Sequence, residues 1–319
     1  MTEKFAPAVT ALLDEAQELV GQEIHVELGT KKVGYIRHGQ SRQVENEDGS
    51  ITIFVTDITN VDYTLSHELL HLLMAHHGYP QIRFNLTTGK EMFDRQLWAT
   101  AIELYNVVSH VIIGAQQQEL QLVDQVAQEQ YLAGILAEVP VEEDKPDRLA
   151  VFRTLALLDT LVFYHGETKL FSRQFKEKYP LSYYGAQRLY KIVAAKPVDS
   201  PFTMRRAVVN LFAAFDPWLE SVGLATTNHN QLITLDGVFS ARQQRLQVRQ
   251  VFTILHSELT VRKGDQSAYI GIGKTDHQNA FILTAPAGKQ QSADFFKHVY
   301  SQSIQEFMRE QQIPFVERK

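Results

Sequence analysis

The sequence predicts an α+β protein in three consecutive parts, and three observations carry that expectation. Short strand-like runs follow an amphipathic helical stretch near the start. Helical periodicity then runs from about residue 116 to 222. From about Leu232 strand-like runs return, and a helical stretch closes the chain. A length of 319 residues is long for one typical domain and suggests two or three. The divisions fall at 1–130, 131–230 and 231–319.

Residues 7–22 read as the first helix. They are acidic and amphipathic, without the basic and apolar regions of a signal peptide, which implies a cytoplasmic protein. IHVEL at 24–28, KKVGYIRH at 31–38 and ITIFVTD at 51–57 read as strands, with Ile51, Ile53 and Val55 on one face of the last. EDGS at 47–50 is a turn signal that makes 51–57 a hairpin partner of the strand before it. A helix follows, with Asp62 as N-cap and Gly78 and Pro80 at its end. A second long helix covers about Phe93 to Ile113. Breaks in the helical region fall at VPVEEDKPD, KYPLS and KPVDSP. VRQVFTILHSELTV, AYIGIG and NAFILTA read as strands, and DFFKHVYSQSIQEFMREQQ as the closing helix. No window approaches the ~18 consecutive apolar residues that span a bilayer, so no membrane partner is expected.

There is no cysteine, which excludes disulfides, thiolate metal sites and a cysteine nucleophile. The net charge of -6 argues against a nucleic-acid binder. From Lys145 to Arg206, however, twelve Lys/Arg meet five Asp/Glu, so that stretch is +7 and the remainder -13. This is either a basic module, open to DNA or a repressor through 145–206, or a solvated basic helical face.

SHELLHLLMAHHG at 66–78 holds four histidines and one glutamate. On a helix His67 and His71 are about 40° apart and one turn from each other, so both imidazoles can face one ion. Glu68 lies beside that face without ligating. This is the logic of H-E-x-x-H: two neutral imidazoles bind zinc, and the carboxylate takes a proton from a water that the ion polarises. Leu65, Leu69, Leu72 and Leu73 occupy the opposite, buried face. A catalytic zinc needs a third protein ligand, and three residues compete. His77 has the count of a metzincin, but Met74 stands where that pattern has the glycine that turns the chain out of the helix. His76 lies about 140° past His71, toward the core or the next helix. Glu103, in TAIELYNVVSHVIIG on the next helix, is favoured. Asn106 and His110 share nearly the same face and are assigned outer or transition-state roles.

HELLHLLMAH at 67–76 resembles the H-E-L-x-H-x-x-x-x-H stretch of the ImmA/IrrE family of zinc metallopeptidases. In that family the third ligand is a glutamate on the next helix, in or just before an alanine- and asparagine-rich segment. IELYNVVSHVIIG at 102–114 keeps Glu103 and Asn106 but lacks the alanine before the asparagine and the phenylalanine–alanine pair after it. FSRQFKEKYPLSYYGAQRLYKIV at 171–193 is similar to a helix-turn-helix, with Ser182, Ala186, Arg188 and Leu189 in the family's small motif, its spacing one residue longer. The resemblance implies a zincin-like metallopeptidase domain, then a helical domain, then a smaller α+β domain. It also implies Zn2+ held by His67, His71 and Glu103, Glu68 as the base, and cleavage of a cytoplasmic protein such as a transcriptional repressor. The competing expectation is a zinc-containing regulator that binds DNA or a repressor without proteolysis. GIGKT at 271–275 is similar to a phosphate loop, but Ala268 replaces its first glycine and a strand-like run follows, so a hairpin turn is expected.

Overall fold

The structure is a computed structural model that describes residues 5–37, 39–143, 147–262 and 266–318. Helix and strand occupy 52% and 19% of it, which agrees with the coarse α+β expectation. It forms two compact units: residues 1–77 with 109–191, and residues 78–108 with 192–319. These do not coincide with the three consecutive parts read from the sequence, and strand pairing is the reason. Residues 82–83 pair with 234–235, and 86–87 with 260–261. Those hydrogen bonds draw 78–108 into the C-terminal unit.

In the first unit α1 (Pro7–Val20) starts at a helix-compatible proline and ends at Gly21, whose φ of 68° suits only a residue free of Cβ strain. β1 (Ile24–Lys31), β2 (Ser41–Glu45) and β3 (Ile51–Asp57) form one sheet in the order β1-β3-β2. β1 is parallel to β3 and β2 antiparallel. Of the strand expected at 31–38, only Lys31 is strand among the described residues, His38 lying outside them, and the hairpin partner is 41–45. The strand 51–57 is central and bonded on both sides, and β1 and β2 are the outer strands of this sheet.

α2 (Val61–His76) carries the histidine motif. Its N-cap is Asn60, whose side chain accepts from the Tyr63 N–H at 3.2 Å. Asp62, expected in that role, accepts from the Ala6 N–H at 2.9 Å and ties the start of α1 to α2. Leu65, Leu69, Leu72 and Leu73 are buried as expected, and so are Leu70 and Met74. α3 (Glu91–Glu119) is longer than expected at both ends, and only its part from Ser109 onward belongs to this unit. There the buried Gln117 amide donates to the Tyr63 carbonyl at 3.0 Å and to Ser66 Oγ at 2.8 Å. Among the described residues α3 is the one helix long and apolar enough to cross a membrane, and half of its apolar window is buried.

α4 (Gln125–Glu138) is capped by Asp124, and α5 (Ala150–Phe163) follows. Gly134 of α4 lies against the chain at Ile36; a Cβ there would sit 1.9 Å from the Ile36 carbonyl oxygen, so only glycine permits this approach. α6 (Ser172–Lys178) and α7 (Pro180–Val193) are joined by Tyr179 alone. A helix-turn-helix has a three- to four-residue turn at this place. Tyr179 is instead buried, with its hydroxyl donating to the Val139 carbonyl at 2.8 Å. Lys145, the first residue of the basic stretch, lies outside the described residues.

The second unit contains β4 (Ile82–Arg83), β5 (Leu86–Thr87), α8 (Pro201–Ser221), α9 (His229–Leu232), β6 (Thr234–Leu235), β7 (Gly237–Phe239), α10 (Ala241–Gln244) and α11 (Val248–Val251). β8 (Phe252–Val261), β9 (Ser267–Gly273) and β10 (Asn279–Thr284) follow, then α12 (Lys289–Ser301), α13 (Ile304–Glu310) and β11 (Phe315–Glu317). The main sheet has the order β10-β9-β8-β5 and is antiparallel. GIGKT ends β9 and turns into β10, a hairpin as expected. The expected single closing helix is two, because Ser303 accepts from the Glu306 N–H and starts a new helix with a capping box.

His229 is buried against Phe212 and Phe215. Its Nε2 donates to the Leu97 carbonyl at 3.3 Å, and its Nδ1 accepts from the Thr227 hydroxyl at 2.6 Å. Burial pulls its pKa down to about 4. The folded pKa lies below the ordinary 6.5, so the unfolded chain binds this proton more tightly. The stabilisation is full above about pH 6.5 and is lost as pH falls toward 4, by up to about 3 kcal/mol. Urea unfolding of the His229→Gln chain should therefore show a lower midpoint at pH 7 and a flatter pH dependence between 6.5 and 4. Parallel pH profiles for the two chains would contradict this.

Candidate metal centre

The motif helix presents His67, Glu68 and His71 on its one half-buried face, the rest of its middle being core. Because α2 is held to the C-terminal part of α3 through Gln117, the α3 residue that meets this face is His110. The Nε2 atoms of His67 and His71 are 3.2 Å apart, and those of His71 and His110 3.3 Å apart. Among the described residues these three form the group whose ligand atoms converge, all within 4.8 Å. A tetrahedral ion about 2.0–2.1 Å from each imidazole nitrogen separates its ligands by about 3.3–3.4 Å, close to the spacing of the His67–His71 and His71–His110 pairs. Hydrogen bonding among the rings alone fits less well. His71 Nε2 has either one proton or one lone pair, so it can serve only one of its two close neighbours.

The tautomer of His110 is set from behind. Its Nδ1 donates to Asp159 Oδ1 on α5 at 2.5 Å, which leaves Nε2 to face the other imidazoles with its lone pair. Asp159 Oδ2 in turn accepts from the hydroxyl of Tyr131 on α4 at 2.8 Å. Tyr131 is buried, with its ring stacked 3.9 Å from that of Phe163. Burial, and then the charge of Asp159, push its hydroxyl well above the ordinary tyrosine range, so it remains a donor. Three successive helices thus contribute one member each to the chain His110–Asp159–Tyr131. On the α2 side the Tyr63 ring stacks on His67 with centroids 6.1 Å apart.

Glu68 faces the sheet. Its Oε1 accepts from the Ser41 hydroxyl at 2.6 Å and its Oε2 from the Gln43 amide at 2.9 Å, both on β2. The carboxylate is therefore tied to the edge strand β2.

His67 and His71 come together as the sequence predicts. His110, given an outer or transition-state role there, is the third imidazole of the group. Glu103, nominated as third ligand, is an exposed residue seven positions ahead of His110 on α3, in the part of the helix that belongs to the other unit. Asn106 is half-buried in the same part. His76 and His77 are both exposed; His76 does not face the core, and His77 Nε2 lies 3.9 Å from Glu15. Sequence reasoning missed Asp159, Tyr131, Ser41 and Gln43. Asp159 had a signal, as the one carboxylate in the apolar run LALLDTLVF at 155–163.

Comparison of the chain with protein-family models, curated proteins and solved structures returned no match.

If His110 is the third ligand, His110→Ala should weaken Zn2+ binding, measured by competition with a chromophoric chelator, far more than Glu103→Gln does. The reverse order would return Glu103 to the coordination set. Asp159→Asn should keep the metal but loosen it by about 10–100-fold, the usual effect of removing a carboxylate behind a ligating histidine.

Proposed function

We propose that the chain is a zinc-dependent metallopeptidase. The observation that supports this above all others is the convergence of three imidazole nitrogens beside Glu68 on one H-E-x-x-H helix. His67, His71 and His110 would hold the ion through Nε2. Zinc in such a set acts as a Lewis acid and brings a water within reach of deprotonation near neutral pH. Glu68 accepts that proton and can return it to the leaving amine nitrogen, the ordinary double duty of a general acid–base. Asp159 holds His110 in the ligating tautomer, and Tyr131 holds Asp159.

A polypeptide substrate is favoured by the sheet. Among the described residues β2 has one side without a neighbouring strand, and its residues contact the base. The unpaired side offers backbone N–H and C=O groups to an extended chain, the pairing used in strand addition. The zincin-like reading of the first unit belongs to this proposal and rests on the order of sheet strand, motif helix and ligand-bearing helix. The ImmA/IrrE resemblance directs the search for a substrate to cytoplasmic proteins, transcriptional repressors among them.

The test uses full-length protein stripped with a chelator, reloaded with one equivalent of Zn2+ and assayed on a quenched-fluorescence peptide library. Glu68→Gln should retain zinc and lose hydrolysis by a factor of about 10²–10⁴. His67→Ala should lose both. Full activity in Glu68→Gln would remove the mechanism.

A further inference from the structure

β2 has a polar face where its neighbour has an apolar one. Residues directly opposite in an antiparallel pair share a face of the sheet. Ser41 stands opposite Val55, and Gln43 opposite Ile53; both apolar partners are fully buried. Arg42, between them, lies on the other face, with its guanidinium 4.5 Å above the Phe54 ring. A serine and a glutamine on the face that β3 fills with isoleucine and valine need polar partners there. Both find the same one. Ser41 donates to one Glu68 oxygen at 2.6 Å. Gln43 donates to the other at 2.9 Å and also to the Glu68 backbone carbonyl at 2.7 Å. One amide thus grips Glu68 at its main chain and at its tip, which fixes the rotamer between. An ionised carboxylate has about four lone-pair directions, so two donors leave one free on each oxygen to receive a proton.

We propose that Ser41 and Gln43 are positioning residues for the base, and that the edge strand sets where Glu68 stands relative to the histidine face. The inference rests on the metallopeptidase reading. Ser41 and Gln43 act through Glu68 and need not touch substrate or ion. The strand that would pair with an extended polypeptide also holds the group that activates its attack, so substrate register and base position share one element.

The experiment compares the unsubstituted chain, Ser41→Ala, Gln43→Ala, the double variant and Glu68→Gln, all full length and loaded with Co2+, whose visible spectrum reports the occupied histidine site. Acetohydroxamate is the probe, because it binds the ion and passes its hydroxyl proton to the neighbouring carboxylate. The double variant should bind Co2+ within about twofold of the unsubstituted chain, yet bind acetohydroxamate at least about tenfold more weakly, an outer-sphere effect of ordinary size. On a peptide substrate its kcat should fall with little change in KM. Ser41→Thr, which keeps the hydroxyl on a strand-compatible residue, should recover most of the Ser41→Ala loss. The inference is overturned if the double variant matches the unsubstituted chain in acetohydroxamate affinity and kcat while Glu68→Gln loses both. Loss of Co2+ from the double variant also overturns it, since the role is then structural. Failure of the metallopeptidase reading looks different: Co2+ does not bind the unsubstituted chain, or Glu68→Gln is as active as that chain.

Discussion

The part-buried bond between His110 and Asp159 is the interaction on which the candidate site depends. Imidazole nitrogens converge usefully only when each presents a lone pair, and a ring left to choose its tautomer presents one only part of the time. Asp159 removes that choice for His110 by accepting from Nδ1 at 2.5 Å. Asp159 is itself held by Tyr131, whose position follows from stacking on Phe163 and from full burial. Gln117 completes the constraint by bonding two groups of α2, which fixes how α3 lies along the motif helix. These hydrogen bonds are buried or part-buried, and each is costly to leave half-made. The helical part of the unit thus determines the side chain that faces the motif.

A second constraint comes from the sheet. β3 is central and apolar on the face it shares with Ser41 and Gln43, as a strand bonded on both sides tends to be. β2 is an edge strand and can carry polar residues, and two of the three polar side chains on that face, Ser41 and Gln43, end on Glu68. The motif helix is therefore gripped from two sides for different purposes. α3 and α5 orient the imidazole opposite it, and β2 orients the carboxylate.

Much of this was legible in the sequence, and the rest was not for definite reasons. His67, Glu68 and His71 are readable because a spacing of i, i+4 has one meaning on a helix. The second helix was readable too, and so was the shared face of Glu103, Asn106 and His110. Periodicity gives the face of a residue but not its height against a neighbouring helix. That height is set by Gln117, whose partners Tyr63 and Ser66 are distant in sequence, so His110 and Glu103 could not be ranked from spacing. β2 was invisible because SRQVE has no apolar alternation; its pattern is written for Glu68 and an open edge. Residues 31–38 misled in the opposite sense, since a strand-like composition extends past the last residue that finds a partner on β3. The division into units was hidden because two-residue strands at 82–83 and 86–87 carry no pattern long enough to read, yet their pairing decides where 78–108 belongs.

The chemistry of the set also follows from charge. Three neutral imidazoles leave a divalent ion its full double charge, whereas a carboxylate ligand would cancel part of it and weaken its pull on a bound oxygen. A half-buried site does not hold two uncompensated charges cheaply. Two carboxylates stand just outside the imidazoles in this unit. Asp159 is behind His110, and Glu68 is beside His67 and His71. Their two negative charges would balance those of a divalent ion held by the three imidazoles, with no carboxylate needed as a ligand. The two are not equivalent. Asp159 has both oxygens committed, to His110 and Tyr131, and is suited to standing still. Glu68 keeps a lone-pair direction on each oxygen beyond those used by Ser41 and Gln43, and is suited to accepting a proton. Under the proposed mechanism a proton passed to Glu68 would leave its negative charge with the donor held at the histidine face. Such a transfer would move charge a short distance and leave the net charge of the region unchanged, which is what a half-buried arrangement can support.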